Sequence, residues 1–144
     1  MSQNSKFKTQ ALILGIRSET ADAMVVLSTL EETLLRAVDR IEWTAGRQLS
    51  SSLLDKIEEL LDRNHKTWKD LSGIVTYEGP GSFTGLRIGI TVANTAAYIL
   101  NIPIVGATGD EWMKQGVSKL NSDHFDDIVM PHYGSEPNIT SPKK

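Results

Sequence analysis

The chain has 144 residues, of which 40% are hydrophobic and 23% are charged, the balance of one globular domain. Its net charge of −3 argues against a protein that binds nucleic acid through a basic surface, and the absence of cysteine excludes disulfides and thiolate metal sites. Residues 1–8 are polar and lack the apolar core of a secretory signal, and no apolar run reaches the ~20 residues of a membrane helix. We therefore expect a cytoplasmic protein with no membrane contact.

Three strands are predicted at the start of the chain. Residues 10–16 form a short apolar run that is typical of a buried strand, and residues 22–27 follow after a turn short enough for a hairpin. Apolar and charged residues alternate over residues 34–43, which predicts a third strand. Residues 31–38 are also compatible with a helix, so the sequence leaves this part of the third strand open.

The clearest helix is predicted at residues 49–65, where leucine and isoleucine recur at helical spacing opposite a set of acidic residues. Three serines near its start could supply the N-cap. The later elements predicted are, in chain order, a strand at 73–77, a helix at 84–100, a strand at 104–107, a helix at 110–119 and a last short strand at 128–130. Five main strands and three helices predict an α/β fold, with helices packed on a mixed five-stranded sheet.

A glycine-rich loop, GPGSFTGLRIG at residues 79–89, lies between a predicted strand and a predicted helix. It is neither a Walker A loop, because the Gly-Lys-Ser/Thr ending is missing, nor a Gly-x-Gly-x-x-Gly loop. A loop at the N-terminus of a helix still suits an anion. Ser82 or Thr84 could equally be a plain helix cap. The residues alone leave both a phosphate site and a structural junction open.

The helix after this loop has an unusual surface. Glycine or alanine recurs every four residues from position 81 to position 97, which gives one flat ridge that a second backbone can approach closely. No charge occurs from residue 88 to residue 102, so the helix must be covered on more than one side. The cover is either the rest of the domain or a partner protein.

If the two long helices share a partner surface, the sequence predicts these residues in it: Leu53, Ile57, Leu60, Gly85, Gly89, Val92, Ala93, Ala96 and Ala97. Catalytic patterns are scarce. The three histidines are far apart in sequence, and no nucleophile elbow is present. The sequence therefore predicts no catalytic residue, no metal site and no bound cofactor.

The glycine-rich loop closely resembles the signature of the TsaB (YeaZ) family, accessory proteins in bacterial synthesis of threonylcarbamoyladenosine on tRNA. The similarity covers residues 9–117, and residues 131–137 also resemble the family's C-terminal end. The signature residues are Gly79, Pro80, Gly81, Ser82, Phe83, Thr84, Gly85 and Arg87.

The resemblance implies one half of an actin/Hsp70-like (RNase H-like) fold over residues 1–117, with a short remnant and tail over residues 118–144. It also implies an accessory subunit rather than an enzyme. Such a subunit pairs through its helices with the transferase TsaD, forms a homodimer when alone, and joins an assembly with the ATPase TsaE. Contact with tRNA is then only indirect.

Two departures from the family pattern weaken any expectation of ATP binding. Family members carry a full second half after the position of Val117, where this sequence has only residues 118–144. The family's first strand typically ends in Asp-Thr-Ser/Ala, whereas this chain has Arg17 in place of the acid that would position a metal–phosphate. A nucleotide-binding or ATP-hydrolysing domain that uses residues 79–85 stays as the alternative. A direct tRNA-binding module is disfavoured by the acidic charge balance.

Overall fold

The computed structural model describes residues 10–122 and 128–131. Within them the predicted order of strands and helices is confirmed. The elements are β1 (Ala11–Arg17), β2 (Asp22–Glu31), β3 (Leu34–Thr44), α1 (Leu49–Arg63), β4 (Gly73–Tyr77), α2 (Phe83–Leu100), β5 (Ile104–Ala107) and α3 (Trp112–Asn121). Short 3₁₀ turns at Gly46–Gln48 and Trp68–Asp70 precede α1 and β4.

The five strands form one mixed sheet in the order β3-β2-β1-β4-β5. The first three strands are an antiparallel meander, and β4 and β5 run parallel to β1 and to each other. This confirms the predicted mixed sheet and resolves the ambiguity at residues 31–38 in favour of a strand. The central strand β1 is apolar from Ala11 to Ile16 because successive side chains point to opposite faces and both faces are covered. Ile13, Leu14 and Ile16 are all completely buried.

Helices α1 and α2 cover one face of the sheet, and α3 covers the other. On the first face, a Cβ atom added to Gly89 of α2 would lie 3.4 Å from the side chain of Ile16. On the second face, a Cβ added to Gly73 would lie 3.2 Å from Leu120 of α3. Of the helices that the structure describes, none has both the length and the apolar character that a membrane crossing needs.

Helix α1 turns its leucine-rich stripe toward β2 and β3. Leu53, Ile57 and Leu60, which the sequence placed in a partner surface, are completely buried in the domain's own core. These three side chains are therefore not accessible on the surface of the folded domain, because helical spacing puts all three on the side that faces the sheet. The serine cap predicted for this helix is also absent, since its N-cap is Gln48 without a side-chain cap bond.

The last described segment, residues 128–131, is not the predicted strand. Asn94 of α2 holds it instead: its Nδ2 donates to the Val129 carbonyl at 3.0 Å, and the Val129 amide donates to its Oδ1 at 2.9 Å. The side-chain amide thus takes the place of a neighbouring strand. The predicted tail beyond this segment, residues 132–144, lies outside the described residues.

Candidate functional site

The glycine-rich loop is a strand-to-helix junction with unusual backbone geometry. Gly79 has a φ of 121°, a conformation that favours glycine, and it precedes a cis peptide bond to Pro80. Ser82 is the N-cap of α2, and its Oγ accepts a hydrogen bond from the amide of Gly85 at 3.4 Å. Of the two caps considered from the sequence, Ser82 rather than Thr84 is the one observed.

The junction packs against the chain's own β1–β2 turn. The Ser82 amide donates to the Glu19 carbonyl at 2.9 Å, and the Ser18 hydroxyl donates to the Gly85 carbonyl at 2.7 Å. Cβ atoms added to Gly81 or Gly85 would overlap atoms of Glu19 or Ser18. These glycines are therefore required for the close approach of α2 to this turn.

The whole row of small residues faces inward. A Cβ added to Gly89 would overlap the Ser18 side chain, and Ala93 and Ala97 are 0% and 5% exposed. The flat ridge is therefore occupied within the domain, because the second backbone that it admits is that of the chain's own β1–β2 turn. Of the nine interface residues expected from the sequence, Val92 and Ala96 are the two that still border open solvent beside α1.

Part of the hydrogen-bonding capacity of this loop is already used within the chain. The amides of Ser82, Gly85 and Leu86 are already engaged in hydrogen bonds within the chain. Glu19 packs against Gly81, is only 8% exposed, and has one carboxylate oxygen, Oε1, without a hydrogen-bond partner among the described residues. The geometry gives the nucleotide hypothesis no support.

Arg17, which replaces the acid of the family pattern, is also held within the chain. Its Nε donates to Glu19 Oε2 at 2.7 Å, and its guanidinium carbon lies 4.0 Å from the centre of the Tyr77 ring. An ion pair and a cation–π contact fix this side chain. Its charge is offset by Glu19 instead of being free for a ligand. Within residues 10–122 and 128–131, no group of three or more His, Asp or Glu side chains is arranged to hold a metal ion.

The outer sides of α1 and α2 border an apolar depression, which we call the α1–α2 trough. It consists of two neighbouring cavities of about 420 and 530 Å³, both of which are lined by Thr91 and Val92. It runs from Phe83 near the start of α2 to Trp68 near the end of α1. Its main apolar lining residues are Leu54, Trp68, Val92, Ala96, Ile99 and Leu100.

Large apolar side chains stand open to solvent along this trough. Ile99 is 72% exposed and Leu54 is 48% exposed, and both line it. Phe83, which lines the other end of the trough, is 56% exposed. A single exposed apolar residue is ordinary in a folded protein, but a contiguous set beside a groove marks an interaction site.

The sequence contained a signal for these missed residues. Leu54 lies one position beyond the buried Leu53, so it belongs to the edge of the apolar stripe of α1. On α2 the uncharged stretch continues through Tyr98 and Ile99, on sides of the helix that the row of small residues does not occupy. The exposed surface was therefore visible as excess apolar character, but not as a repeating pattern.

Comparison with known proteins relates this chain to proteins of tRNA modification. A family model described as "TsaD: tRNA N6-adenosine threonylcarbamoyltransferase" matches residues 43–117, from the end of β3 into α3. The tRNA threonylcarbamoyladenosine biosynthesis protein TsaB of Bacillus subtilis is 40% identical over 75 residues, which are 52% of this chain and 31% of the relative. The tRNA N6-adenosine threonylcarbamoyltransferase of Listeria monocytogenes is 34% identical over 111 residues, 69% of this chain and 32% of the relative.

A solved structure, YeaZ from Pseudomonas aeruginosa, superimposes with a TM-score of 0.59 at 26% identity, covering 68% of this chain and 44% of that one. This likeness confirms the expected α/β fold, an actin/Hsp70-like (RNase H-like) half. The chain spans about a third of the length of the curated relatives, 31% and 32% for the two described.

Proposed function

Since the chain belongs to the TsaB (YeaZ) family, which is related in sequence to the TsaD threonylcarbamoyltransferases, we propose that it is a partner subunit in tRNA t6A37 modification. In this role it contributes a docking surface to a TsaD-type enzyme and no catalytic residue. The enzyme transfers the threonylcarbamoyl group, and the chain stabilises the enzyme in its working form.

The single observation that carries this proposal is the exposure of apolar side chains along the α1–α2 trough. Burying Ile99 and Leu54 against a partner would remove two large side chains from water, each worth about 1.5–3 kcal/mol when fully buried. The trough is open along its length, so it suits an elongated apolar element such as a helix. We take that element to be a helix of the TsaD-type partner.

The fold supports a docking role for the part of the chain that is present. The core closes on itself through the junction of α2 with the β1–β2 turn, and it positions α1 and α2 side by side without help from another chain. We propose that residues 1–117 act as this N-terminal half and that residues 118–144 are a short remainder. We further propose that the chain forms a homodimer through the same trough when it is alone, and that a TsaE-type ATPase joins the assembly. Contact with tRNA is then only indirect, and the location is cytoplasmic.

The proposal is tested by co-purification and reconstitution. The full chain is mixed with the TsaD-type protein of the same organism, and complex formation is measured by analytical ultracentrifugation. Formation of t6A on tRNA is then followed with and without the chain, in the presence of the remaining enzymes and substrates of the modification. We expect a stoichiometric complex and t6A formation that depends on the chain.

The matched variants are Ile99→Asp in the trough and Ile128→Asp outside it, both at exposed isoleucines that are 72% and 59% exposed. Ile99→Asp should abolish the complex and the modification, because an unpaired carboxylate would be buried against the partner. Ile128→Asp should leave both intact. If no complex forms, or if t6A is made equally well without the chain, the proposed function is wrong.

A further inference from the structure

The two walls of the α1–α2 trough differ in charge, and this difference points to the chemistry of the partner. We propose that the trough selects a partner helix with an apolar ridge and with lysine or arginine along one flank only, the flank that faces α1. This inference rests on the proposed function, because it concerns the partner that docks in the same trough.

The wall formed by α1 is acidic. Asp55, Glu58 and Asp62 are spaced by three and four residues, so they follow one side of the helix next to Leu54. All three are exposed, and Glu58 itself lines the trough. Glu58 therefore borders the space that a docked helix would occupy, and Asp55 and Asp62 are exposed on the neighbouring side of α1.

The cations of α1 are used elsewhere. Lys56 lies 3.5 Å from Glu59, and Arg63 pairs with Asp39 at 2.8 Å and with Glu59 at 3.6 Å. Within the described part of the chain, the three acids of the wall take part in none of the ion pairs. Their charge is thus free to meet that of a partner.

The wall formed by α2 carries almost no charge. In the whole of Phe83–Leu100 the one charged residue is Arg87, whose guanidinium carbon lies 5.3 Å from the centre of the Phe83 ring at the start of the trough. Thr91 and Thr95 provide the polar groups along this side. Lys69 lies at the other end of the trough. A partner helix therefore meets the acids of α1 on one flank, and on the other flank the hydroxyl groups of Thr91 and Thr95 with the cation Arg87 at one end.

A second copy of the chain is a poorer occupant. It would bring the same three acids to the interface, and its own trough offers two cations, Arg87 and Lys69, at opposite ends. Like charges that meet across an interface oppose association. The structure therefore favours a different protein with a basic flank over self-association.

The test replaces the acidic wall in the full-length chain with neutral residues, as the triple variant Asp55→Asn, Glu58→Gln, Asp62→Asn. Affinity for the TsaD-type protein is measured by calorimetry at low and high ionic strength, and self-association by sedimentation equilibrium. The control variant, Glu31→Gln, Asp110→Asn, Glu111→Gln, changes the net charge equally at exposed positions that do not line the trough.

The two measurements should change in opposite directions. The triple variant should bind the partner about ten-fold more weakly at low salt, since each exposed charge pair contributes a factor of about two, and the salt dependence should shrink. Its self-association should tighten. The control variant should behave as the wild-type chain does.

The failures of the two proposals are distinguishable. If the triple variant binds the partner as tightly as the wild-type chain, while Ile99→Asp abolishes binding, the basic flank is refuted and the partner function stands. If self-association weakens together with partner binding, the acidic wall attracts a second copy and the preference for a different protein is refuted. If the wild-type chain forms no complex, the partner function fails and the basic flank fails with it. If Ile99→Asp leaves the complex intact, the trough is not the docking surface, and the basic flank fails while the partner function stands.

Discussion

Gly85 is the residue at which α2 packs against the backbone of the β1–β2 turn. A Cβ atom there would overlap the carbonyl oxygen of Ser18, a backbone atom held in place by the sheet. We predict that Gly85→Ala lowers the free energy of unfolding by about 2–3 kcal/mol, because neither backbone can retreat. Urea unfolding followed by circular dichroism measures the loss.

Gly73→Ala is the matched control for this prediction. Its added Cβ would lie 3.2 Å from Cδ1 of Leu120, the end of a side chain that can shift by a few tenths of an ångström. It should therefore be less destabilising than Gly85→Ala. Equal losses in the two variants would contradict the view that the signature glycines exist for this close approach.

The same geometry decides which residues can be used to test a partner surface. The sequence pattern indicates Gly89 and Ala93, but a larger side chain at either would disturb the monomer before any partner is present. Ile99 is suitable because its side chain is largely in solvent. Loss of binding in an Ile99 variant can thus be separated from loss of folding.

At the scale of elements, one polar cluster joins β3 to the end of α1. Asp39 accepts hydrogen bonds from Arg63 Nε at 2.8 Å and Nη2 at 2.9 Å, and from Asn64 Nδ2 at 2.8 Å. The bonds from Arg63, and then that from Asn64, hold the pKa of the Asp39 carboxyl well below its usual range. The Asp39 and Arg63 side chains are 26% and 46% exposed, so water weakens this pair.

This cluster predicts a pH-dependent contribution to stability. A pKa lowered by folding stabilises the protein above the unfolded value, near 3.9 for Asp, and the contribution disappears as the pH falls through the folded pKa. Asp39→Asn should lower the melting temperature by about 2–4 °C at neutral pH. The gap between wild-type and variant should narrow below about pH 4. A gap that stays constant into strong acid, measured by calorimetry, would contradict this role for Asp39.

The sequence predicted elements more reliably than it predicted their orientation. The predicted and observed bounds of β4 and β5 agree residue for residue. The apolar run of β4 ends at the glycine-rich loop, and that of β5 begins directly after Pro103. The beginning of α3 was placed too early, at Asp110, since the helix starts only at Trp112. Hydrophobic periodicity identifies the apolar side of a helix. The residue at which the helix begins depends on local hydrogen bonds, which the periodicity does not show.

The orientation of α2 could not be read from its small residues. A flat ridge permits a close backbone neighbour and does not identify it. Here the neighbour is the turn at Ser18, sixty-seven residues before Gly85 in the chain, which only the folded structure brings into contact. The residues of α2 that line the trough, Val92, Ala96 and Ile99, therefore lie beside the row of small residues and not in it.

At the scale of the whole molecule, the chain spans about a third of the length of its curated relatives and still closes a core of its own. The loop that carries the family signature is used to close this core. The exposed apolar surface lies on the other side of the same helices. This division explains how the chain can close a core and still leave apolar side chains exposed, as the proposed docking role requires.

The central claim, that a partner docks in the α1–α2 trough, is tested most directly by isothermal titration calorimetry with the TsaD-type protein. The titrations compare the wild-type chain with Ile99→Asp and Ile128→Asp, after circular dichroism has shown equal folding. We predict that Ile99→Asp loses affinity for the partner by about 100-fold or more, and that Ile128→Asp binds as the wild-type chain does. Unchanged affinity for Ile99→Asp would contradict the claim.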